Sequence, residues 1–179
     1  AGYPFAAHHL ELDGARLHYV DEGPRSADPV VFVHGNPTWS YFWRRPIAAL
    51  SLSHRCIAPD HVGCGRSDKP GGYSYRLAQH VLNLERLLLE LDLVRVTLVV
   101  HDWGGPIGLG ALLRHPERLA RVLITNTAAF PIASVGGRAP WRLRACRVPL
   151  AGELAVRGLN AFAGLAVRMA VERPLAPEV

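Results

Sequence analysis

The sequence predicts an α/β fold, a mostly parallel sheet with helices on both faces. Short β-branched and aliphatic runs alternate along the chain with helix-like segments, the order that βαβ units produce. The runs at residues 30–33 and 96–100 are apolar apart from Thr97 rather than alternating, as strands covered on both faces are. Asn36, Asp60 and Asp102 each follow the carboxyl end of a strand-like run, which is where open α/β sheets place their ligands.

Residues 8–12 and 16–21 alternate around Asp13-Gly14 and read as a hairpin. Residues 30–33 form a buried strand, 41–50 a helix blemished by Pro46, and 55–58 a short strand. Residues 77–91 make the strongest helix, because Leu77, Val81, Leu84, Leu88 and Leu91 recur at steps of three and four and form one apolar stripe. A strand at 96–100, a helix at 106–114 and a strand at 119–125 follow. The pattern then changes, dividing the chain at residue 130 into a core (1–130) and a second part (131–179). Residues 131–149 are irregular. Residues 151–169 read as an amphipathic helix with Leu154, Phe162, Leu165 and Met169 on one side, weakened by Gly152, Gly158 and Gly164.

Composition narrows the function classes. No run of 18 apolar residues predicts a transmembrane helix, and the first residues lack the basic-then-apolar order of a secretory signal. Cys56, Cys64 and Cys146 are odd in number and carry no metal spacing, so free thiols in a cytoplasmic protein are expected. The net charge is +5. With Lys69 the only lysine and no basic patch interleaved with aromatics, no nucleic-acid partner is expected. No metal-ligand cluster and no G-x-G-x-x-G after a strand is present; Gly63-Cys-Gly65 falls in a loop after Asp60 and reads as a backbone turn. No cofactor is therefore expected.

The chemistry concentrates in Val96-Thr-Leu-Val-Val-His-Asp102-Trp103-Gly104-Gly105. A buried strand stops at an acid, an aromatic and two glycines, and a helix begins. A turn this tight holds a side chain out as a nucleophile and crowds its own backbone, which glycine relieves. Asp is also a favoured helix N-cap, so the local sequence supports either role. A second motif favours the nucleophile. Val30-Val-Phe-Val-His34-Gly35-Asn36-Pro37 is another buried strand ending in a glycine turn, placed to supply one side of an anion hole, with the residue after the nucleophile supplying the other. Asn36 and Trp103 hold those positions, and the Asp102 carboxylate is expected within hydrogen-bond reach, or one water, of the Asn36 side chain and the Trp103 backbone N–H.

His34-Gly-Asn-Pro-Thr-Trp-Ser-Tyr-Phe-Trp-Arg44, Pro59-Asp-His-Val-Gly-Cys-Gly-Arg-Ser-Asp-Lys-Pro70 and His101-Asp-Trp-Gly-Gly105 resemble the haloalkane dehalogenase branch of the α/β-hydrolases. Epoxide hydrolases share the Asp elbow but usually carry an aromatic at the position of Asn36. The opening Gly2-Tyr-Pro4, Asn126-Thr-Ala-Ala-Phe-Pro131, Pro140-Trp141 and Leu159-Asn-Ala-Phe162 resemble the β-lactone decarboxylases of bacterial long-chain olefin biosynthesis. The resemblance implies Asp102 as nucleophile, Asn36 and Trp103 as anion-stabilising residues, and a small hydrophobic substrate. That substrate is a β-lactone converted to a cis-alkene and CO2 or, alternatively, a haloalkane. Other olefin-biosynthesis enzymes are the implied partners.

It further implies a late histidine base. All nine histidines lie between His8 and His115. His101 adjoins Asp102 but should point to the opposite face of its strand, and His34 reads as structural. The chain is accordingly expected to be an N-terminal part of such an enzyme, truncated after the first part of a helical cap and inactive alone. A non-catalytic fragment that binds a partner chain is the remaining alternative.

Overall fold

The computed structural model describes residues 2–128, 148 and 151–158. The chain divides into two compact units, Ala1–Phe130 and Pro131–Val179. The first contains β1 (His8–Leu12), β2 (Ala15–Glu22), β3 (Pro29–Val33), α1 (Arg44–Leu50), β4 (Arg55–Pro59), α2 (Leu77–Glu90), β5 (Val96–His101), α3 (Gly104–Leu112) and β6 (Leu119–Thr125). In the second, Ala151–Glu153 is a helical turn that continues as a π-helical turn over Leu154–Gly158. The irregular stretch expected over 131–149, apart from Val148, and the rest of the helix expected over 151–169 lie outside the described residues.

The strands form one sheet in the order β1-β2-β4-β3-β5-β6. The β1–β2 and β2–β4 pairs are antiparallel; β4–β3, β3–β5 and β5–β6 are parallel. The mostly parallel sheet read from the sequence is thus present, with the hairpin on its flank.

Both faces of the sheet are covered, and the strand alternation shows how. Val31 and Val33 of β3 join Ile57, Leu98 and Val100 beneath α2 and α3, packed on Leu84, Leu87, Leu88, Ile107 and Leu112. Val30 and Phe32 face the other way, with Cys56, Ala58 and Val99, and are covered by Trp43 and Ile47, with Tyr3 and Phe5 packed alongside. At the far edge, Leu123 and Ile124 of β6 are both more than half exposed.

Two elements depart from the sequence reading. The helix over 41–50 is a 3-10 turn at Ser40–Trp43 followed by α1. Pro46 sits in the first turn of α1, where the missing N–H costs nothing because that group would have no intrahelical acceptor. In α2 the buried residues are Asn83, Leu84, Leu87 and Leu88, whereas Leu77 is exposed at the helix start. The steps of three and four identified the face correctly, but its first residue lies beyond the edge of the sheet's cover.

Candidate active site

The strand order makes the site. β3 lies between β4 and β5 and is parallel to both. The loops after Val33, Pro59 and His101 therefore leave the same edge side by side. Residues distant in sequence meet there.

Asp102 turns the chain from β5 into α3 with a left-handed backbone, φ 51°. Asp and Asn are the non-glycine residues that tolerate this region best. Three bonds hold the turn. The Asp102 N–H donates to the Asn126 carbonyl at 3.3 Å, and the Asp102 carbonyl accepts from the Gly105 N–H at 3.1 Å and from the Thr127 hydroxyl. The N-cap position of α3 belongs to Trp103, with no side-chain cap, so Asp102 does not serve as the helix cap.

The Asp102 Oδ1 instead accepts a hydrogen bond from the Asn36 main-chain N–H at 2.8 Å. The direct bond from Asn36 comes from its backbone rather than its side chain. The reason is Gly35: a Cβ there would lie 2.2 Å from Oδ1, so only glycine lets the carboxylate rest against the loop's peptide planes. Trp103 follows Asp102 with its indole half exposed. Among the described residues, neither the Trp103 indole nor the Asn36 side chain makes a hydrogen bond, and no bond joins Trp103 to the Asp102 carboxylate.

The direction of the Asn36 N–H is set from behind. It shares a planar peptide with the Gly35 carbonyl, so fixing one fixes the other. That carbonyl accepts from His34 Nδ1–H at 2.7 Å, from the Thr38 N–H at 3.2 Å and from the Thr38 hydroxyl at 3.0 Å. His34 Nε2 then accepts the His61 N–H at 3.0 Å, and His61 Nε2–H donates to the His34 carbonyl at 3.0 Å. This network needs a neutral His34 protonated at Nδ1. Burial holds its pKa below the usual value, although the Gly35 carbonyl and Asp60 pull the other way. His61 lies well below its usual value, again through burial first and then the neighbouring His34 and His80.

A pH dependence follows from those directions. Both folded-state pKa values are depressed, so below about pH 6.5 the unfolded chain binds more protons than the folded one. The contribution is complete above that value and is lost as pH falls. Thermal melts between pH 8 and 5 should show the midpoint falling through and below about 6.5; a flat profile would mean that the rings are not buried as neutral groups.

Asp60 forms a second centre. It is fully buried with His18. Its Oδ2 accepts from His18 Nδ1–H at 3.0 Å and from the Arg66 N–H at 2.8 Å, and its Oδ1 accepts from the Ser40 N–H at 2.7 Å. Burial pushes this carboxyl up, but the bonds from His18, Arg66 and Ser40 outweigh it and leave the pKa lowered. The sequence marked Asp60 only by its place after a strand.

The other sequence candidates stand apart. The His101 ring stacks on Phe42 at 4.8 Å, consistent with its expected turn away from Asp102. Cys56 is buried, which raises its thiol to about 11, and burial also raises Cys64, so neither is activated as a nucleophile. Among the described residues no helix is long and apolar enough to cross a membrane, and no group of His, Cys, Asp and Glu is arranged to hold a metal ion.

A strand-to-helix turn bearing an acid, faced by a main-chain N–H from the neighbouring parallel strand's loop, is the elbow of one enzyme class. A family model described as the alpha/beta hydrolase fold matches residues 28–143, and the chain belongs to that family. Within it, the chain is 47% identical over 173 residues to the cis-3-alkyl-4-alkyloxetan-2-one decarboxylase of Shewanella oneidensis, covering 95% of this chain and 54% of that protein. It is 42% identical to the decarboxylase of the same name from Xanthomonas campestris pv. campestris, covering 96% of this chain and 60% of the relative. A haloalkane dehalogenase of Psychrobacter cryohalolentis is 46% identical over 132 residues, 70% of this chain and 44% of that enzyme. Among solved structures, the haloalkane dehalogenase DatA from Agrobacterium tumefaciens C58 superposes with a TM-score of 0.82 at 32% identity, covering 97% of this chain and 59% of that one. The chain thus spans between about two fifths and three fifths of the length of these relatives.

Proposed function

We propose that Asp102 is the nucleophile of a cis-β-lactone decarboxylase that forms a long-chain alkene and CO2, with Asn36 and Trp103 stabilising the anion. The observation that carries this reading is the Asn36 N–H on Asp102 Oδ1. It engages one carboxylate oxygen and leaves Oδ2 to attack, and in any ester formed it stays on Oδ1, by then a neutral carbonyl oxygen, and polarises it. The choice of a lactone rests on the two decarboxylase relatives, which match nearly the whole chain.

Attack of Oδ2 on the ring carbon that bears the ring oxygen forms the ester bond, breaks that C–O bond and releases a carboxylate. Loss of CO2 then forms the C=C bond and expels the Asp102 carboxylate. This route consumes no water and needs no base. On this reading the lack of a late histidine does not by itself silence the chain, contrary to the expectation from the sequence that it is inactive alone. The Trp103 indole and the Asn36 side-chain amide are donors available to the released carboxylate. The division at residue 130 fits a core followed by the start of a cap. Enzymes that make the lactone are the corresponding partners.

The dehalogenase relative and neighbour favour a second reading, haloalkane hydrolysis. There Oδ2 displaces halide and leaves an alkyl ester that only base-assisted water releases. Among the described residues no histidine contacts the Asp102 carboxylate. Incubating the chain separately with a cis-3,4-dialkyloxetan-2-one and with a 1-bromoalkane separates the readings. The proposal expects alkene and CO2 from the lactone, and from the bromoalkane only a persistent protein adduct by intact mass. Halide release over many equivalents would favour the dehalogenase. No product and no adduct from either compound would sink the nucleophile assignment and leave a chain that only binds a partner.

A further inference from the structure

We propose that Tyr3 and Asp60 are positioning residues that clamp Ser40 from opposite sides and hold the loop presenting the Asn36 N–H to Asp102. The role in reaction rests on the reading of Asp102 as nucleophile; the clamp itself is geometry. Ser40 ends the loop that begins at Asn36, and it is fully buried. Its N–H is on Asp60 Oδ1 and its hydroxyl shares a hydrogen bond with the Tyr3 hydroxyl. Asp60 is itself fixed by His18 of β2 and by the Arg66 N–H.

The same Arg66 closes the clamp. Its guanidinium lies 4.7 Å over the Tyr3 ring and 5.8 Å from the Trp39 ring, within the range of cation–π attraction. Tyr3 in turn lies 5.0 Å from Trp39 and 5.9 Å from Tyr41, ring to ring. A segment preceding the first strand thus packs on the far end of the loop, four residues from the N–H that meets Asp102. At the near end the loop is held by the Gly35 carbonyl and its three donors. With both ends held, the Asn36 N–H keeps its direction without help from substrate. Releasing the Ser40 end lets the loop turn about Gly35, and the bond to Oδ1 is the first contact to loosen.

The test uses Tyr3→Phe, which removes the hydroxyl and keeps the ring, and Asp60→Asn, which keeps the shape and removes the charge. The Asn36 amide proton is followed by NMR for its shift and its exchange with solvent, and the alkylation of the chain by a 1-bromoalkane is followed by intact mass at rising concentration. One lost hydrogen bond should speed amide exchange by about fivefold in Tyr3→Phe, move the amide resonance upfield, and lower the limiting alkylation rate with the half-saturating concentration unchanged. Asp60→Asn should do the same more strongly; should it fail to fold, Tyr3→Phe decides.

A lower melting temperature with the amide shift, its exchange and the limiting rate all unchanged would overturn the proposal, because a merely structural Tyr3 gives that result. If the amide responds while neither wild type nor variant is alkylated, the clamp stands and the nucleophile reading falls. If wild type and variant are alkylated equally with the amide unchanged, the nucleophile stands and the clamp falls.

Discussion

Replacing Asp102 with Asn is expected to abolish both alkene release and adduct formation, a loss of about 10⁶-fold where a nucleophile carries the reaction. The substitution suits the position. Asn tolerates the left-handed backbone as well as Asp does, so the φ of 51° at the elbow adds no strain. The amide oxygen can still accept the Asn36 N–H that now donates to Oδ1. What changes is that a charged acceptor becomes a neutral one, which costs about 1 kcal/mol, and that the attacking oxygen loses its charge. Chemical denaturation should therefore place the variant within about 1–2 kcal/mol of wild type, while gas chromatography finds no alkene and intact mass finds no adduct. Residual product within tenfold of wild type would move the nucleophile elsewhere.

The parts of this molecule that local pattern encodes were legible in the sequence. The continuous, largely apolar runs of β3 and β5 report burial on both faces, and the two glycine turns that follow them mark the edge where the loops gather. That β3 and β5 are neighbours follows from the twin motifs only once the sheet is assembled. The contact between Asp102 and Asn36 was anticipated at the level of residues but not of atoms. Which part of Asn36 approaches depends on the absent Cβ of Gly35, a tertiary close approach that no periodicity records. The Asp60 centre was the least visible. Its partners His18 and Ser40 stand 42 and 20 residues away, and Tyr3 stands 37 residues from Ser40. Such pairings are set by strand order, so a single sequence shows the members and not the set. Leu77 fails in the opposite way, since it obeys the helical spacing yet lies exposed at the end of α2.

The largest effect on stability is expected at Gly104, the first residue of α3. A Cβ there would lie 2.1 Å from the Val33 carbonyl oxygen and 2.7 Å from its carbon. Both are backbone atoms at the end of β3, so no rotamer change relieves the overlap; α3 must lift or the strand end must move, and that strand end carries the loop with Asn36. Overpacking typically costs 1–3 kcal/mol, and with backbone on the receiving side we expect Gly104→Ala to cost about 3 kcal/mol or more. Gly35→Ala meets the Asp102 side chain instead, at 2.2 Å. Rotation of that side chain moves Oδ1 but not the Asp102 Cβ, which would lie 2.3 Å from the added carbon. The elbow backbone must therefore shift here too, and this variant should lose stability as well as the bond to Asn36 and with it the chemistry. Gly71→Ala, where nothing lies within 4 Å of the added carbon, is the control and should match wild type or gain a few tenths of a kcal/mol, about the amount by which alanine restricts the unfolded chain. Urea denaturation of the three variants, read by far-UV circular dichroism, should place both Gly104→Ala and Gly35→Ala well below Gly71→Ala in stability. A Gly104→Ala variant within about 1 kcal/mol of the Gly71→Ala control would show that α3 does not seat on the end of β3, and the elbow geometry at Asp102 would lose its support.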